Sequence, residues 1–377
     1  TWQEYRKEFP ERKHILLEEF KSGRYKAPAV RRVYIPKDKH SHRPIGIPTI
    51  EDKLLQMCVR RVMEPVYEGD FKPFSYGFRP GRSQHQAIEH LFKEVSFGGK
   101  HYIIDADIKN YFGSINHGLL REFLDKRIKD GVIRKMIDKW LKAGIMDSGN
   151  ISYPEEGTPQ GSVISPLLSN IYLHYVLDVW FSEQIQPLLK GKSFIVRYAD
   201  DFVMGFTDKS DAERVMAVLP RRFAKYGLTI HPEKTKLIDL NNKRGKGHGR
   251  SFDFLGFTHF LSKSRKGRIV LKRKTSSKRL TKAIMNVSDY IRRNRHMKFN
   301  DLIAALNVKL RGHYNYYGIT FNGRSLNSFF LMVKFRLFKW LNRRGGKVIL
   351  NWSKFSVYVD SYTPLLKPFI KHSYSSK

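Results

Sequence analysis

The stretch "FIVRYADDFVMGF", residues 194–206, places two adjacent carboxylates, Asp200 and Asp201, in the middle of a β-prone apolar run. Arg197 is the other charged residue in it. Apolar residues on both sides of the aspartates predict two strands joined by a tight turn. Two like charges in such a hairpin repel each other and resist burial. The pattern therefore suggests that cations stabilise the pair.

A second acidic stretch complements the first. Asp107 lies near the end of the apolar strand predicted in "YIIDADIKNYF", and Asp105 precedes it on the same face. If this strand and the hairpin are neighbours in one sheet, Asp107 and Asp200 converge. Carboxylate oxygens suit Mg²⁺, and two Mg²⁺ ions about 4 Å apart can clamp both oxygens of an in-line phosphoryl displacement. An Asp-Asp pair alone is commonly a surface turn, so the composition matters.

The charge of the chain is extreme and unevenly distributed. The net charge is +35 over 377 residues, a length that suits two or three compact units. Residues 241–377 hold 31 Lys and Arg against 4 Asp and no Glu, whereas the first 240 residues hold 39 basic and 31 acidic side chains. This asymmetry predicts a polyanion, most naturally nucleic acid, along the C-terminal third. Binding should weaken steeply with salt.

Other classes of protein fit less well. A membrane surface is also a polyanion, but no apolar run approaches the ~20 residues that span a bilayer, and the start "TWQEYRKEFPERKH" is no secretory signal. We therefore expect no membrane association. The single cysteine, Cys58, excludes a disulfide framework and a Cys-based zinc site. We expect it to be a small buried hydrophobe in a reducing compartment.

Periodicity and capping signals predict the elements. A helix should end near Gly23, a strand pair should follow in "AVRRVYIPK…RPIGIPT", and a helix in 50–70 should bury one apolar face. The residues of that face are Leu54, Leu55, Cys58, Val59 and Val62. Three serines are expected at helix starts. These are Ser83, Ser165 (with Pro166 at the first helical position) and Ser210 (with Glu213).

The C-terminal third changes character. A basic Gly-rich loop, "NNKRGKGHGR", precedes the strand "FDFLGFTHF". Three basic helices are then predicted at about 277–295, 300–317 and 325–342. Mixed strands and helices followed by helices alone indicate an α+β catalytic body and an all-helical appendage.

Eight blocks, in order over about residues 25–345, carry a family resemblance. They are "VYIPKDKHSHRPIGIPTIEDKLLQ", "SYGFRPGRS", "DADIKNYFGSINH", "EGTPQGSVISPLLSNIYLH", "RYADD", "HPEKTK", "FDFLGF" and "LRGHYNYYG". The sequence resembles a reverse transcriptase of the group II intron-encoded type. The resemblance implies an α+β, right-hand polymerase architecture, with fingers and an antiparallel palm sheet followed by an all-helical thumb or maturase domain. The implied domains are fingers 1–100, palm with interspersed finger elements 101–262, basic connector 263–275, helical thumb or maturase domain 276–350 and C-terminal tail 351–377.

The resemblance assigns roles to the carboxylates. Asp107 and Asp200 would bridge the metals, Asp201 would complete the catalytic triad, and the Ile108 carbonyl would join the metal shell. The implied cofactor is a pair of Mg²⁺ ions, with Mn²⁺ as a possible substitute.

It also implies a nucleotide site. Lys37 and Arg43 would grip the incoming triphosphate, in agreement with their chemistry as cations near a strand pair. Phe112, beside Tyr111, would stack below the ribose and exclude a 2′-hydroxyl, which implies dNTP use. The remaining nucleotide residues are Gln160 and Gly161, under the template base and incoming sugar, and Lys234, which would protonate the leaving pyrophosphate.

Primer and template contacts are implied in three motifs. The residues are Arg79 and Arg82 in "SYGFRPGRS", Phe254, Leu255 and Gly256 in the primer grip "FLGF", and Arg311, Tyr314 and Tyr317 in "LRGHYNYYG". About half of the thumb aromatics are expected to be core residues instead. The chain departs from the family at Gly113, where an acidic residue is frequent, and at Ser162, where Gly is frequent.

Three functions fit these features. The first is an RNA-dependent DNA polymerase that extends a DNA or RNA primer on an RNA template with dNTPs. The second is a splicing cofactor that binds group II intron RNA, and the third is a domesticated relative in DNA repair or defence. Retention of Asp107, Asp200 and Asp201 favours the first. We expect no appended nuclease or ribonuclease H module. We expect a bacterial or organellar protein that is cytoplasmic and associated with the nucleoid or with RNP.

Overall fold

The computed structural model describes residues 2–36, 41–147, 149–153, 155–158, 160–241, 251–345 and 350–374. The chain divides into two compact units. The first unit comprises Thr1–Glu94 and Gly98–Leu237, and the second comprises Val95–Phe97 and Ile238–Lys377. We describe each unit by itself.

Helices and strands alternate in the first unit, as the sequence predicts. Its helices are α1 Trp2–Lys21, α2 Ile50–Glu68, α3 Gln84–Ser96, α4 His117–Asp125, α5 Gly131–Leu141, α6 Ser165–Leu173 and α7 Lys209–Ala224. Its strands are β1 Val30–Pro36, β2 His42–Ile47, β3 Tyr102–Ala106, β4 Ile108–Lys109, β5 Ile145–Asp147, β6 Asn150–Ser152, β7 Ser193–Tyr198, β8 Asp201–Phe206, β9 Thr229–Ile230 and β10, which starts at Lys236 and ends at Asp239. Two π-helical turns, His174–Asp178 and Trp180–Ile185, follow α6.

The sheet that carries the acidic stretches has the strand order β10-β3-β8-β7. Strands β7 and β8 form the hairpin predicted from "FIVRYADDFVMGF", and β3 pairs antiparallel with β8 from Tyr102 opposite Phe206 to Ala106 opposite Phe202. The two acidic stretches are therefore neighbours in one sheet, as predicted. A second sheet, β2-β1-β5-β6, contains the predicted strand pair β1–β2.

One large apolar core underlies the first unit. It takes residues from one face of β8, from β3 and from α4 to α7; Phe202, Met204, Leu168, Leu219 and Phe223 are fully or almost fully buried members. Burial of this size is what a sheet covered by helices provides.

The structure corrects the predicted face of α2. Leu55 and Val59 are buried there, but Cys58 is exposed and Val62 is 60% exposed, while Asp52 and Gln56 are buried. The helix is therefore rotated relative to the predicted apolar stripe. Hydrogen bonds explain the buried polar residues, because Asp52 accepts from Tyr25 and Trp140 and Gln56 accepts from Ser162.

Helix starts are predicted to within one or two residues. Ser83 caps α3 as expected, since its Oγ accepts from the Gln86 amide. At α6 the structure corrects the prediction, because Ser165 is the first helical residue and Ile164 occupies the cap. At α7 the cap is Asp208 rather than Ser210, and its side chain accepts from the amide of Asp211. A carboxylate is the better acceptor at a helix N-terminus.

The second unit combines a small sheet with helices. Its strands are β11 Ser251–Phe254, β12 Phe257–Lys263 and β13 Ile269–Thr275, in the order β11-β12-β13. The helices α8 Ser277–Asn294, α9 Phe299–Tyr317 and α10 Gly323–Leu341 match the three predicted basic helices closely, and a short α11 follows at Trp352–Val357. The basic Gly-rich loop at 242–250 lies outside the described residues.

Two segments predicted as connector and tail contain ordered elements in the structure. Residues 263–275 were expected to form a connector, but β13 occupies most of them and pairs with β12 over seven residues. Residues 351–377 were expected to form a tail, yet Phe355, Val359 and Leu365 are buried in the core of the helices. Val270 and Leu271 are the buried apolar residues of the strand, and Phe355 and Val359 stand one helical turn apart on one face.

Within the residues that the structure describes, we find no helix whose length and apolar character would allow it to cross a membrane.

Candidate active site

The hairpin turn presents the two adjacent carboxylates. Tyr198 pairs with Asp201, so Ala199 and Asp200 are the two residues of the turn. Ala199 has a φ of +58°, in the left-handed region. A positive φ at the first central residue is the pattern of a type II′ turn, where glycine is the usual residue. The turn is therefore tight and its conformation is unfavourable for a residue with a Cβ.

Asp107 lies at the corresponding end of β3, where the strand leaves the sheet. Its amide donates to Oγ1 of Thr235 at 3.3 Å, and its carbonyl accepts from the amide of His231 at 2.8 Å. Its Oδ2 lies 2.6 Å from Nζ of Lys234. All three partners belong to the "HPEKTK" motif, which therefore holds the Asp107 main chain and contacts its carboxylate.

The carboxylates of Asp107 and Asp200 interact electrostatically. Burial raises the pKa of Asp200, and the negative charge of Asp107 raises it further. The Asp200 amide and the cations Arg43 and Arg197 act in the opposite direction and lower that pKa. The structure thus brings together residues that are 93 positions apart, because Ala106 is paired with Phe202 in the sheet.

These donors suit a hard divalent cation. The negative charge of Asp107 disfavours ionisation of Asp200, so the two carboxylates together favour a cation near both. In the described part of the chain, no three His, Cys, Asp or Glu side chains are grouped as a metal site. Mg²⁺ typically binds through one or two carboxylates together with substrate phosphates and water. Asp107 and Asp200 fit that mode. Of the other two predicted metal-site residues, Asp201 is part of β8, and Ile108 pairs with Ile230 in the β4–β9 sheet.

The predicted triphosphate residues are only partly described. Lys37 lies outside the described residues. Arg43 is exposed on β2, opposite Ile35, and its charge acts on Asp200. Phe112 packs partly buried against the edge of the core, and its ring lies 5.4 Å from that of Tyr111. Arg43 and Phe112 thus remain available to a substrate.

The loop with Gln160 and Gly161 packs on strand β2. The carbonyl of Gln160 accepts from the amide of Gly46 at 2.7 Å. Gly161 has a φ of +113°, and a Cβ there would lie 2.7 Å from the carbonyl oxygen of Gly46. Glycine is required at this position because of the backbone of the protein itself, in addition to the predicted approach to a substrate.

Gly113, one of the family departures, is also explained by packing. A Cβ on Gly113 would lie 2.4 Å from Nδ2 of Asn110. A Cβ on Gly157 would lie 2.9 Å from Cα of Gly113, and the amide of Thr158 donates to the carbonyl of Phe112 at 2.8 Å. An acidic side chain at 113 would therefore require the Asn110 side chain to move. The second departure, Ser162, is buried and donates to Gln56.

Four of the residues predicted to contact the nucleotide, primer or template have interior side chains in the structure, and for these we revise the prediction of direct substrate contact. Tyr111 is 3% exposed and donates to the carbonyl of Ser169. Arg79 is 8% exposed, and its guanidinium bonds Glu68 and the carbonyls of Lys72 and Ser75. The other two are Phe254 and Tyr314, at 1% and 0% exposure. Aromatic spacing cannot distinguish these core positions from surface ones.

Arg82 and Arg311 are placed differently, because both are exposed. Arg82 also lies over the ring of Tyr76, 5.5 Å from its centroid. Both arginines remain candidates for phosphate contacts.

The primer-grip motif and the thumb motif meet in the second unit. Leu255 and Gly256 form the β11–β12 turn, with φ values of +50° and +80°. The hydroxyl of Tyr316 donates to the carbonyl of Leu255 at 2.8 Å. A Cβ at Gly256 would lie 3.2 Å from the hydroxyl oxygen of Tyr317. The aromatic motif of α9 therefore supports this turn directly.

Sequence reasoning missed a set of buried polar residues behind the turn at Ala199 and Asp200, which we name the catalytic turn because the sequence predicts Asp200 to be catalytic. Arg197 and Asp178 are completely buried and form an ion pair at 2.5 Å. Asn170 bonds both Arg197 and the carbonyl of Gly77. An arginine within the apolar run 194–206 was the available signal, because a buried arginine needs a partner.

Comparison with known families agrees with this geometry. The family described as "Reverse transcriptase (RNA-dependent DNA polymerase)" matches residues 35–259. The family described as "Group II intron, maturase-specific domain" matches residues 280–355. The first match spans more than half of the chain.

Individual relatives are similar over different parts. Protein YkfC of Escherichia coli is 35% identical over 289 residues, which cover 67% of this chain and 72% of YkfC. The group II intron-encoded protein LtrA of Lactococcus lactis is 39% identical over 160 residues, 42% of this chain and 26% of LtrA. A 91 kDa protein in the cob intron of Schizosaccharomyces pombe is 28% identical, covering 85% of this chain and 47% of that protein. The chain thus spans less than half of the latter two relatives.

Solved structures support the fold. Apo telomerase from Candida tropicalis has a TM-score of 0.53 at 14% identity, covering 86% of this chain and 60% of that chain. This likeness, with the antiparallel sheet and the helical C-terminal region, confirms the predicted α+β polymerase fold. The chain belongs to the reverse transcriptase family of RNA-dependent DNA polymerases and carries a group II intron maturase domain.

Proposed function

We propose that this protein extends a DNA or RNA primer with dNTPs on an RNA template, through in-line phosphoryl transfer at Asp107 and Asp200. The observation that carries the proposal is the convergence of these two carboxylates with Lys234 at one end of the β3–β8–β7 sheet. The chain spans only part of several relatives. The activity of the whole protein is therefore also a proposal.

The metal requirement follows from the same pair. We propose that Asp107 and Asp200 hold two Mg²⁺ ions with help from Asp201 and the Ile108 carbonyl, and that Mn²⁺ can substitute. Bound there, such ions would activate the primer hydroxyl and stabilise the charge of the leaving group.

The residues of the chain itself would orient and neutralise the substrate. Arg43, whose charge acts on Asp200, would bind the triphosphate together with Lys37. Phe112 would exclude a 2′-hydroxyl below the sugar, and Gln160 and Gly161 would line the template side. Lys234 would protonate the leaving pyrophosphate.

Primer and template binding is proposed for fewer residues than the sequence suggests. Arg82 and Arg311 are exposed and can contact phosphates. The turn at Leu255 and Gly256, supported by Tyr316 and Tyr317, would approach the primer backbone. The buried side chains of Arg79, Tyr111, Phe254 and Tyr314 would act only by maintaining the fold.

Primer extension on an RNA template tests this function. With Mg²⁺ and dNTPs, the wild-type protein should extend the primer. Asp200→Asn should reduce the rate of extension by at least about 10³-fold, because loss of a metal ligand slows the chemical step. Binding of primer–template by this variant should stay within about threefold of the wild type. Glu213→Gln, which changes an exposed carboxylate on α7, is the matched control. Extension by Asp200→Asn at the wild-type rate would refute the site.

A second function is favoured by the maturase domain match at 280–355. We propose that the basic second unit also binds structured group II intron RNA, which would place the protein in RNA–protein particles. Asp200→Asn should then bind intron RNA and support its splicing as the wild type does. Loss of splicing support in that variant would contradict separate functions. A domesticated role in repair or defence remains the third hypothesis, which the genetic locus can decide.

A further inference from the structure

The ion pair behind the catalytic turn is unusual in being completely buried. Arg197 donates from Nε to Oδ1 of Asp178 at 2.8 Å and from Nη2 to Oδ2 at 2.5 Å. Both side chains have no exposure to solvent. Bidentate pairing is the strongest arrangement of these groups. A buried pair is nevertheless often no more stabilising than apolar residues of the same volume. Stability alone therefore does not explain it.

The rest of the guanidinium contacts the turn. Nη1 of Arg197 donates to the carbonyl of Ala199 at 3.0 Å and to Oδ1 of Asn170 at 3.0 Å. Asn170 in turn donates from Nδ2 to the carbonyl of Gly77 at 2.6 Å. A single buried network thus joins α6, the loop around Gly77 and the turn that carries the carboxylates.

The segment 74–77, at the start of the "SYGFRPGRS" motif, also contacts this hairpin through its main chain. The amide of Arg197 donates to the carbonyl of Phe74 at 3.0 Å, and the amide of Tyr76 donates to the carbonyl of Arg197 at 2.8 Å. A Cβ at Gly77 would lie only 2.1 Å from the amide nitrogen of Ala199. Main chain and guanidinium therefore enclose the turn.

This enclosure accounts for the conformation of Ala199. Its φ of +58° is unfavourable for a residue with a Cβ. Such conformations persist where the surroundings over-determine them, and they cluster at functional sites. Here the carbonyl of Ala199 is held by Arg197 and its amide faces Gly77.

We propose that Arg197 is a positioning residue, which fixes the main chain of the Ala199–Asp200 turn through the carbonyl of Ala199 before any metal or nucleotide binds. Asp178 and Asn170 orient its guanidinium for this purpose. The catalytic consequence rests on the proposed polymerase function, since a preorganised turn lowers the reorganisation needed during the reaction. The positioning itself does not depend on that function.

Two variants separate positioning from folding. Arg197→Met alone would leave the charge of Asp178 buried without its partner and would be strongly destabilising. The double variant Arg197→Met with Asp178→Leu removes both charges and keeps the volume. Arg197→Lys keeps the charge but lacks the planar fork, and provides the same test if the double variant does not fold. The control is Asp211→Leu with Arg214→Met, which removes another Asp–Arg pair from this unit.

Hydrogen exchange of the metal-free protein is the first measurement. We expect the amides of residues 199–202 to exchange at least about tenfold faster in the positioning variants, because the turn opens locally, and to exchange as in the wild type in the control. Unchanged exchange in a folded positioning variant would overturn the proposal, whether or not the protein is a polymerase.

Single-nucleotide incorporation is the second measurement. We expect kcat to fall about 30- to 100-fold in the positioning variants, as for a small misplacement of reacting groups, with KM for dNTP within about threefold because uniform substrate binding is retained. A wild-type kcat in a variant with faster exchange would overturn the catalytic role of the positioning. A wild-type protein that incorporates no nucleotide would instead refute the proposed function, while the exchange experiment still decides the positioning.

Discussion

The ε-ammonium group of Lys234 lies 2.6 Å from Oδ2 of Asp107, although 127 positions separate the two residues. The side chains are 58% and 44% exposed, so the ion pair itself contributes little to stability. The location of the ion pair is what matters, because Asp107 also acts electrostatically on Asp200. If Lys234 is the proton donor that we propose, this contact holds it beside the proposed metal-binding carboxylates.

Replacement of Lys234 tests the proton-donor role. Lys234→Met should lower kcat for nucleotide incorporation by about 10- to 100-fold, a typical loss for a general acid, and change KM for dNTP little. Pre-steady-state incorporation measures both constants. Lys236→Met, two residues further on and also exposed, should behave as the wild type. A large rise in KM with unchanged kcat would assign Lys234 to ground-state binding.

Gly77→Ala tests the close approach to the catalytic turn. The added Cβ would lie 2.1 Å from the amide nitrogen of Ala199 and 2.9 Å from its Cα, so the turn or the loop must move. We expect a loss of about 1–3 kcal/mol in the free energy of unfolding and about a 100-fold loss of incorporation rate. Gly131→Ala is the control, because a Cβ there meets nothing within 4 Å. Wild-type activity in Gly77→Ala would show that the turn tolerates displacement.

Phe112→Ala tests selection of the sugar. The ring packs partly buried beside Tyr111, and its removal should leave room for a 2′-hydroxyl. We expect the kcat/KM ratio of rNTP to dNTP to rise at least about tenfold, the size expected of a steric contact in a pocket. Tyr111→Phe changes the neighbouring ring without opening space and should leave the ratio as it is. An unchanged ratio in Phe112→Ala would end the sugar-gate interpretation.

His313 predicts an acid-sensitive second unit. Burial lowers the pKa of His313 to about 4, and its ring stacks on Phe329 at 3.8 Å. The unfolded chain takes up a proton near the ordinary value of 6.5, whereas the folded chain does so only near 4. This contribution to stability is therefore complete above pH 6.5, falls as the pH drops to about 4, and amounts to at most about 3 kcal/mol.

Thermal unfolding across pH 4 to 7.5 measures this effect in the full chain. His313→Phe should gain stability relative to the wild type as the pH falls through that window, because no proton then has to be excluded. His296→Phe, which replaces an exposed histidine of the same unit, should show no such gain. A constant difference between His313→Phe and the wild type at every pH would contradict the prediction.

Much of the fold is readable from local patterns. The hairpin of residues 194–206, the helix start at Ser83 and the three helices after Ser277 follow from periodicity and capping, which depend on neighbours in the sequence. The segment 263–275, predicted as a connector, contains strand β13, which is stabilised by pairing with β12, a contact that the segment cannot display by itself.

The candidate site divides in the same way. Residue types and motif order were sufficient to identify Asp107, Asp200 and Lys234 as a potential group, and the structure places them together. Arg82 and Arg311 are exposed, whereas Arg79 is buried. The guanidinium of Arg79 bonds Glu68 and two carbonyls, so it is not available to nucleic acid. Sequence spacing carries no information on such partners.

The sequence by itself determined the family, the acidic residues and the excess of basic charge in the C-terminal third, because these are properties of residue identity and order. Only the tertiary structure decided how the catalytic turn is held. Arg197, Asp178, Asn170 and Gly77 come from separate segments, and their hydrogen bonds and close contact exist only once the chain has folded. The physical reason is that a strained turn is maintained by its surroundings rather than by its own residues.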